Sequence, residues 1–382
     1  MEFDASTFLM GLPIAFALGW LASRFDLRQL RMENRQAPKA YFKGLNFLLN
    51  EQQDQAIDAF IEAVQNDPDT SELHFALGNL FRRRGEYERA VRVHQHLLSR
   101  ADISADDRHR AQHGLALDYL KAGLLDRAET ALLALEGTRF EAQARLALLA
   151  NYERARDWAG AAVVAQKLEA AGQGSFAGRQ AHYLCEQAAS ALASGQVDGA
   201  KDLLSQAIAT APHSARARLD LARLLAQGDP SSALAQLLQA AAATPAAIPL
   251  FAQEMAELAL RTGDGTKTHA VLQSSYADAQ SLDVLDALVA LDAPAAAQDA
   301  RAWYVRHLEK QPSLVAAAQW IAGEKLEHEQ FHPQVQRALD HAVKPLKRYR
   351  CAACGFEAQK HFWHCPGCQA WDSYPPRRVE EL

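Results

Sequence analysis

The chain has 382 residues, 49% of them hydrophobic and 23% charged, with a formal net charge of −6 at pH 7. That length exceeds one core and suits several domains or an extended array. The acidic balance gives no electrostatic footprint for nucleic acid, and the many alanines favour helix over sheet.

The N-terminus reads as a membrane anchor. Ala5 to Ser23 carry no charge, preceded by Glu2 and Asp4 and followed by Arg24, Arg28, Arg31 and Arg35. As a helix this stretch spans about 28 Å, close to the hydrocarbon thickness of a bilayer. A cleaved signal peptide has the opposite polarity, basic before its apolar run. Residues 1–23 are therefore predicted to span once, with the start of the chain outside and the body cytoplasmic under the positive-inside rule. Pro13 is compatible with a membrane helix. Residues 24–36 form a basic juxtamembrane segment, either touching anionic headgroups or serving as a solvated spacer.

From residue 37 to about 280 a repeat sets the architecture. Gly44, Ala56, Phe60, Ala63 and Pro68 define a frame that returns as Ala188, Ala200, Leu204, Ala207 and Pro212, and again as Leu221, Ala233, Leu237, Ala240 and Pro245. Weaker copies start at Gly78, Ala116, Leu149 and Ala256, giving about seven repeats spaced 33–39 residues apart. This spacing resembles the tetratricopeptide repeat, a helix–turn–helix unit. Small residues let the two helices approach, and the residue one turn further on packs into the next repeat. Gly85, Gly123, Gly195, Gly228 and Gly263 are expected to end the first helices with left-handed caps. His94 takes a position where a large apolar residue is usual, which is expected to weaken the second repeat.

A right-handed solenoid of such units lines a groove with its first helices. Candidate groove residues are Asn79, Arg82, Arg83, Arg110, His113, Lys121 and Arg154, followed by the apolar Ala189, Leu192, Ala222 and Leu225. The basic half suits an acidic segment or a C-terminal carboxylate; the same charges also suit a plain solvated face.

Residues 281–343 read as a helical extension and cap, with helices over 282–291, 295–310, 314–330 and 333–343. His328-Glu329-Gln330-Phe331-His332 matches the HExxH pattern of zinc proteases, but Pro333 biases His332 away from the continuous helix that motif requires. No phosphate loop, dinucleotide fingerprint or nucleophile elbow is present, so a non-enzymatic scaffold is expected.

Residues 344–382 hold four of the five cysteines as two CxxC pairs: Cys351 and Cys354, then Cys365 and Cys368. Two such turns can place four thiolates around one metal ion, and zinc and iron suit them equally. A cytoplasmic location favours metal over disulfides. His361 and His364 are spare candidate ligands. Tyr349, Phe356, Phe362, Trp363, Trp371 and Tyr374 supply a small core, and Trp371 could instead dock the module onto the helices. Cys185, alone among the helices, reads as an inert core residue.

The Tyr-x-Cys-x-x-Cys-Gly-Phe and Cys-Pro-x-Cys motifs resemble rubredoxin-type modules, departing at Gln369, where glycine is usual. The fold class expected is all-α: a repeat solenoid with an N-terminal transmembrane helix and a small rubredoxin-like zinc-ribbon module. Anchor, repeats and CxxCGF…WxCPxCxxW in this order resemble the lipopolysaccharide assembly protein B family of Gram-negative bacteria along essentially the whole chain. The resemblance implies an inner-membrane protein with a periplasmic N-terminus, working with the membrane protease FtsH to bring about degradation of the deacetylase LpxC. It also implies one iron or zinc ion held by Cys351, Cys354, Cys365 and Cys368. Other inner-membrane lipopolysaccharide-synthesis proteins and lipopolysaccharide itself are further candidate partners, and a homodimer is compatible with the sequence. Two alternatives stand beside this reading: a redox or iron sensor built on the four cysteines, and a structural scaffold of an envelope-synthesis complex.

Overall fold

The computed structural model describes residues 16, 17, 20, 42–66, 70–293, 297–323 and 329–382. The predicted anchor and basic segment fall outside these residues except for Phe16, Ala17 and Trp20. Among the described residues no helix is long and apolar enough to cross a membrane. The chain divides into two units between Ala155 and Arg156, in the turn between the two helices of the predicted fourth repeat.

In the first unit, helix α1 covers 42–49 and is followed by α2 (Gln53–Asn66), α3 (Ser71–Arg83), α4 (Tyr87–Ser99), α5 (Ala105–Ala122), α6 (Leu125–Leu133) and α7 (Glu141–Ala155). Each helix packs on the next, and α3 also meets α5, and α5 meets α7, so the first helices of successive pairs form one layer. The frame residues Ala56, Phe60 and Ala63 are buried, as are Ala116, Ala128 and Leu132. A Cβ on Gly44 would lie 3.0 Å from the Phe60 ring, which explains the small residue there. Burying a ring of that size contributes about 2–3 kcal/mol. Start signals are local: the Ser104 side chain accepts from the Asp107 amide at 3.0 Å, with Asp106 and Asp107 in the positive first turn of α5.

The expectation for His94 is corrected. It is 1% exposed, and its Nδ1 lies 2.5 Å from Oδ2 of Asp118, which is 0% exposed. Asp118 Oδ1 also accepts from Arg82 at 2.8 Å. A Cβ on Gly78 or Gly114 would come within 2.6 Å of the His94 ring, so two glycines make room for the imidazole. Buried polar groups persist where they are mutually satisfied, and this set joins α3, α4 and α5 rather than weakening the repeat.

The second unit holds α8 (Trp158–Ala170), α9 (Ala177–Ala193), α10 (Val197–Thr210), α11 (Ala215–Leu225) and α12 (Pro230–Ala243). A 3₁₀ turn (Pro245–Leu250) leads to α13 (Ala252–Thr262), α14 (Gly265–Ala279), α15 (Leu282–Asp292), α16 (Ala297–Lys310), α17 (Leu314–Ala322) and α18 (His332–Val343). Here α9 meets α11 and α13 meets α15, repeating the layered pattern. Gly85, Gly123, Gly195 and Gly263 adopt the predicted left-handed conformation. Gly228 does not: Asp229 accepts from the Ser232 amide and Pro230 opens α12, so a new helix start replaces the cap. The helix expected over 314–330 is shorter, because α17 stops at Ala322. His328 lies outside the described residues; His332 opens α18, its Nε2 3.3 Å from the Ile321 carbonyl oxygen. Ala222, expected in the groove, is core, whereas Leu192 is exposed.

The chain ends in a two-stranded antiparallel ribbon, β1 (Tyr349–Arg350) with β2 (Glu357–Ala358), plus a bridge between His364 and Trp371.

Candidate metal centre

Both CxxC pairs fold into the same turn. The Gly355 amide donates to the Cys351 carbonyl and the Gln369 amide to the Cys365 carbonyl, each at 2.9 Å. Both residues are left-handed, with φ of 77° at Gly355 and 62° at Gln369. Glycine takes this conformation freely, while Gln369 takes it at a cost. The turns aim amides at sulfur: Ala353 and Cys354 at Cys351, Phe356 at Cys354, Gly367 and Cys368 at Cys365, and Ala370 at Cys368. Such donors stabilise thiolates.

All four sulfur atoms lie within 4.8 Å of one another. The Cys351–Cys368 and Cys354–Cys365 sulfur pairs are 3.8 Å apart, and all four cysteines are free of disulfides. A tetrahedron with metal–sulfur bonds of about 2.3 Å has edges of about 3.8 Å, so the set fits a zinc- or iron-sized ion. Cys351 and Cys365 are buried, whereas Cys354 and Cys368 are exposed. Burial pushes the Cys351 thiol up, but Ser373 and the turn amides outweigh it and bring it down to about 6. At Cys354 the Phe356 amide favours the thiolate, yet burial and hydrogen bonds with the other three cysteines push it up to about 12. Crowded sulfurs of this kind ionise together only around a cation.

The neighbouring histidines are committed elsewhere. His361 Nε2 lies 3.1 Å from the Tyr374 carbonyl oxygen and His364 Nε2 3.0 Å from that of Gln369. Tyr349, Cys351, Cys365 and Tyr374 form the module's buried core, with Leu250 packed against it. Two of those four residues belong to the cysteine set that can hold a metal ion, so the core and the candidate site share side chains.

The module is docked on the second unit. Trp371 stacks on His182 at 4.8 Å and meets Trp158 and Tyr183 edge-on. His182 Nε2 donates to the Asp372 carboxylate at 2.9 and 3.0 Å, leaving Nδ1 to accept from Arg216 at 3.4 Å. Arg378 forms a two-pronged pair with Asp283 at 2.7 and 2.8 Å and lies 4.1 Å over the Tyr349 ring. Glu381 accepts from the Leu282 amide, and Glu380 from the Leu314 and Val315 amides and the Ser313 hydroxyl. These carboxylates meet the positive N-terminal ends of α15 and α17. The contacts fall at the start of α8 and near the starts of the first helices α9, α11, α15 and α17, so the module lies mainly along the layer where the sequence suggests an open apolar groove. Cys185, beside this face, is an inert thiol that burial pushes up to about 12.

The seven polar groove candidates lie in the first unit and the four apolar ones in the second. Arg82 is tied to Asp118, to the Gly114 carbonyl and to Asn79. Arg110 pairs with Glu72 and covers the Phe75 ring at 4.1 Å. His113 stacks on Phe140, and burial holds its pKa below the usual imidazole range. Arg154 donates to the Leu120 carbonyl at 2.5 Å. Asn79, Arg83, Lys121 and Arg154 are exposed. Three of these, Arg83, Lys121 and Arg154, put cations in the last turns of α3, α5 and α7, where they also complement the helix dipoles. Sequence reading missed Asp118, His182, Arg216, Asp283 and the tail carboxylates. Only Asp118 leaves a trace, as a charge inside the apolar frame of α5.

Residues 349–375 match the family described as rubredoxin metal binding domain, and residues 43–102 and 191–258 match tetratricopeptide repeat families. The chain is 33% identical to lipopolysaccharide assembly protein B of Escherichia coli (strain K12), over 96% of this chain and 97% of that one. It is 28% identical to the protein of the same name from Haemophilus influenzae, over 97% and 98% of the two chains. Among solved structures, the C-terminal part of a repeat-containing protein from Cytophaga hutchinsonii is 14% identical and covers 65% of this chain and 99% of that one. Its TM-score of 0.40 is too low to carry an argument.

Proposed function

Because the chain belongs to the lipopolysaccharide assembly protein B family, we propose that it acts in lipopolysaccharide assembly as a non-enzymatic adaptor tethered to the inner membrane. The observation that carries this reading is the end-to-end match: the relationship runs through the repeats and the metal module alike. In the finer form of the proposal, residues 1–23 span the membrane with a periplasmic N-terminus and hold a cytoplasmic body beside the protease FtsH. The body then presents LpxC for degradation, the tether raising the effective concentration of client near protease. The exposed cations Arg83, Lys121 and Arg154 support an acidic client segment on the first unit. The metal, iron or zinc, supplies folding energy of roughly 10 kcal/mol to the module.

The test is the cellular half-life of LpxC. Depleting the chain should lengthen it severalfold, and a chain lacking residues 1–36 should fail to restore turnover while still binding client in solution. Unchanged half-life on depletion would refute the adaptor and leave a structural scaffold. Charge reversal at Arg83 and Lys121 should weaken client binding, with wild-type affinity in that variant counting against the groove.

A further inference from the structure

Two sets of contacts hold the module to the second unit, and they differ in their dependence on the ligand turns. The first runs through Gln369–Ser373. Cys365 grips this segment through two backbone bonds, its carbonyl accepting from Gln369 and its amide donating to Ala370, both at 2.9 Å. The Cys351 turn grips it through Ser373, whose carbonyl accepts from Ala352 at 2.7 Å and whose hydroxyl lies 3.2 Å from the Cys351 sulfur. From this segment Trp371 inserts between His364 at 4.2 Å and His182 at 4.8 Å, and Asp372 bonds His182. Asp372 holds a left-handed φ of 50°, a conformation that aspartate adopts more readily than most non-glycine residues.

The second set rests on different supports. Arg378 donates to the Lys347 carbonyl and pairs with Asp283, and the Val379 amide donates to the Arg348 carbonyl. Glu380 and Glu381 cap α17 and α15. None of these groups belongs to a ligand turn.

We infer that the module is a metal-gated latch on the α8–α9 face. With the ion bound, the two turns hold Trp371 and Asp372 in the only arrangement that covers Trp158, His182 and Tyr183. Without it, a core in which two of four residues are ligands cannot keep that arrangement. The Trp371 side lets go while the Arg378–Glu381 clamp keeps the module tethered. The latch stands independently of the adaptor role, because it concerns contacts within one chain.

Hydrogen exchange on the full-length protein tests it, comparing metal-loaded protein, protein stripped with 1,10-phenanthroline, and stripped protein given back Zn²⁺. Amides across residues 177–185 should exchange about tenfold faster or more on stripping and recover with zinc, while those across 282–287 and 314–318 change much less. Unchanged exchange in α9 overturns the latch, as does uniform loosening of all three segments, which would mean the module docks as one block. Trp371→Ala keeps all four cysteines and supplies the reciprocal test. Because coupling is mutual, opening the latch must weaken zinc binding by the factor with which zinc closes it, about tenfold in a chelator competition. Parent-like zinc affinity in that variant overturns the proposal.

Discussion

Asp118→Ala removes the acceptor at the centre of the first unit's buried polar set. The carboxylate is fully buried and accepts two charge-assisted bonds, from Arg82 at 2.8 Å and with His94 at 2.5 Å. Each such bond contributes about 1.5 kcal/mol net, and the loss also strands the buried His94 ring. Arg82 is 18% exposed and recovers part of its loss from water. The expected cost is about 3 kcal/mol, below the extreme for a fully sealed pair. For a unit of this size that corresponds to a fall of roughly 6–12 °C in its melting transition. Calorimetry on the full chain reads the transition, and hydrogen exchange assigns it to α3–α5. Asp118→Asn, which keeps an acceptor without the charge, should cost about half as much. A double-mutant cycle with His94→Ala should show coupling of about 1 kcal/mol or more. A melting point within a degree of the parent, or additive single changes, would refute the claim that these groups act as one network.

Other expectations follow from single contacts. Gln369→Gly relieves the left-handed strain in the second turn and should stabilise the metal-loaded module by up to about 1 kcal/mol; a lower melting temperature would contradict this. Glu380→Ala leaves the α17 amides and Ser313 without their acceptor and should cost about 1–2 kcal/mol, seen as faster exchange at residues 314–316. Burial lowers the pKa of His113, His307 and His361 below the ordinary value of 6.5. The folded state then binds fewer protons than the unfolded one. Stability is therefore retained above about pH 6.5 and lost as pH falls below it, by at most about 1.4 kcal/mol per pH unit for each fully buried ring. Urea midpoints at pH 7.5 and 5.5 check the sign, and equal midpoints would exclude it. Asp283→Ala should leave Arg378 unpaired over Tyr349 and cost about 3 kcal/mol, and Asp283→Asn less.

The repeat frame and the convergence of the four cysteines were legible in the sequence because both are local and periodic. Alanine, glycine and leucine recur wherever two helices must touch, and the predicted helix-contact positions from Ala56 to Leu272 are buried, while the loop prolines Pro212 and Pro245 are exposed. Four thiolates must converge on one ion, so two identical turns mark the site. What stayed hidden has no period. His94 breaks the apolar frame, and only its juxtaposition with Asp118, 24 residues on, turns an apparent defect into a bond. His182 and Asp372 meet across 190 positions and Asp283 and Arg378 across 95, each a single encounter that no spacing announces.

The sequence by itself thus determined the helical repeats, the family and the pairing of four cysteines that can hold a metal ion, since nearest-neighbour packing and the CxxC turn act over a few turns of chain. Only the tertiary structure decided that the module is docked rather than displayed. That outcome depends on Trp371, Asp372, Arg378 and the tail carboxylates finding partners at the starts of distant helices, where exposed amides and buried rings await an acceptor.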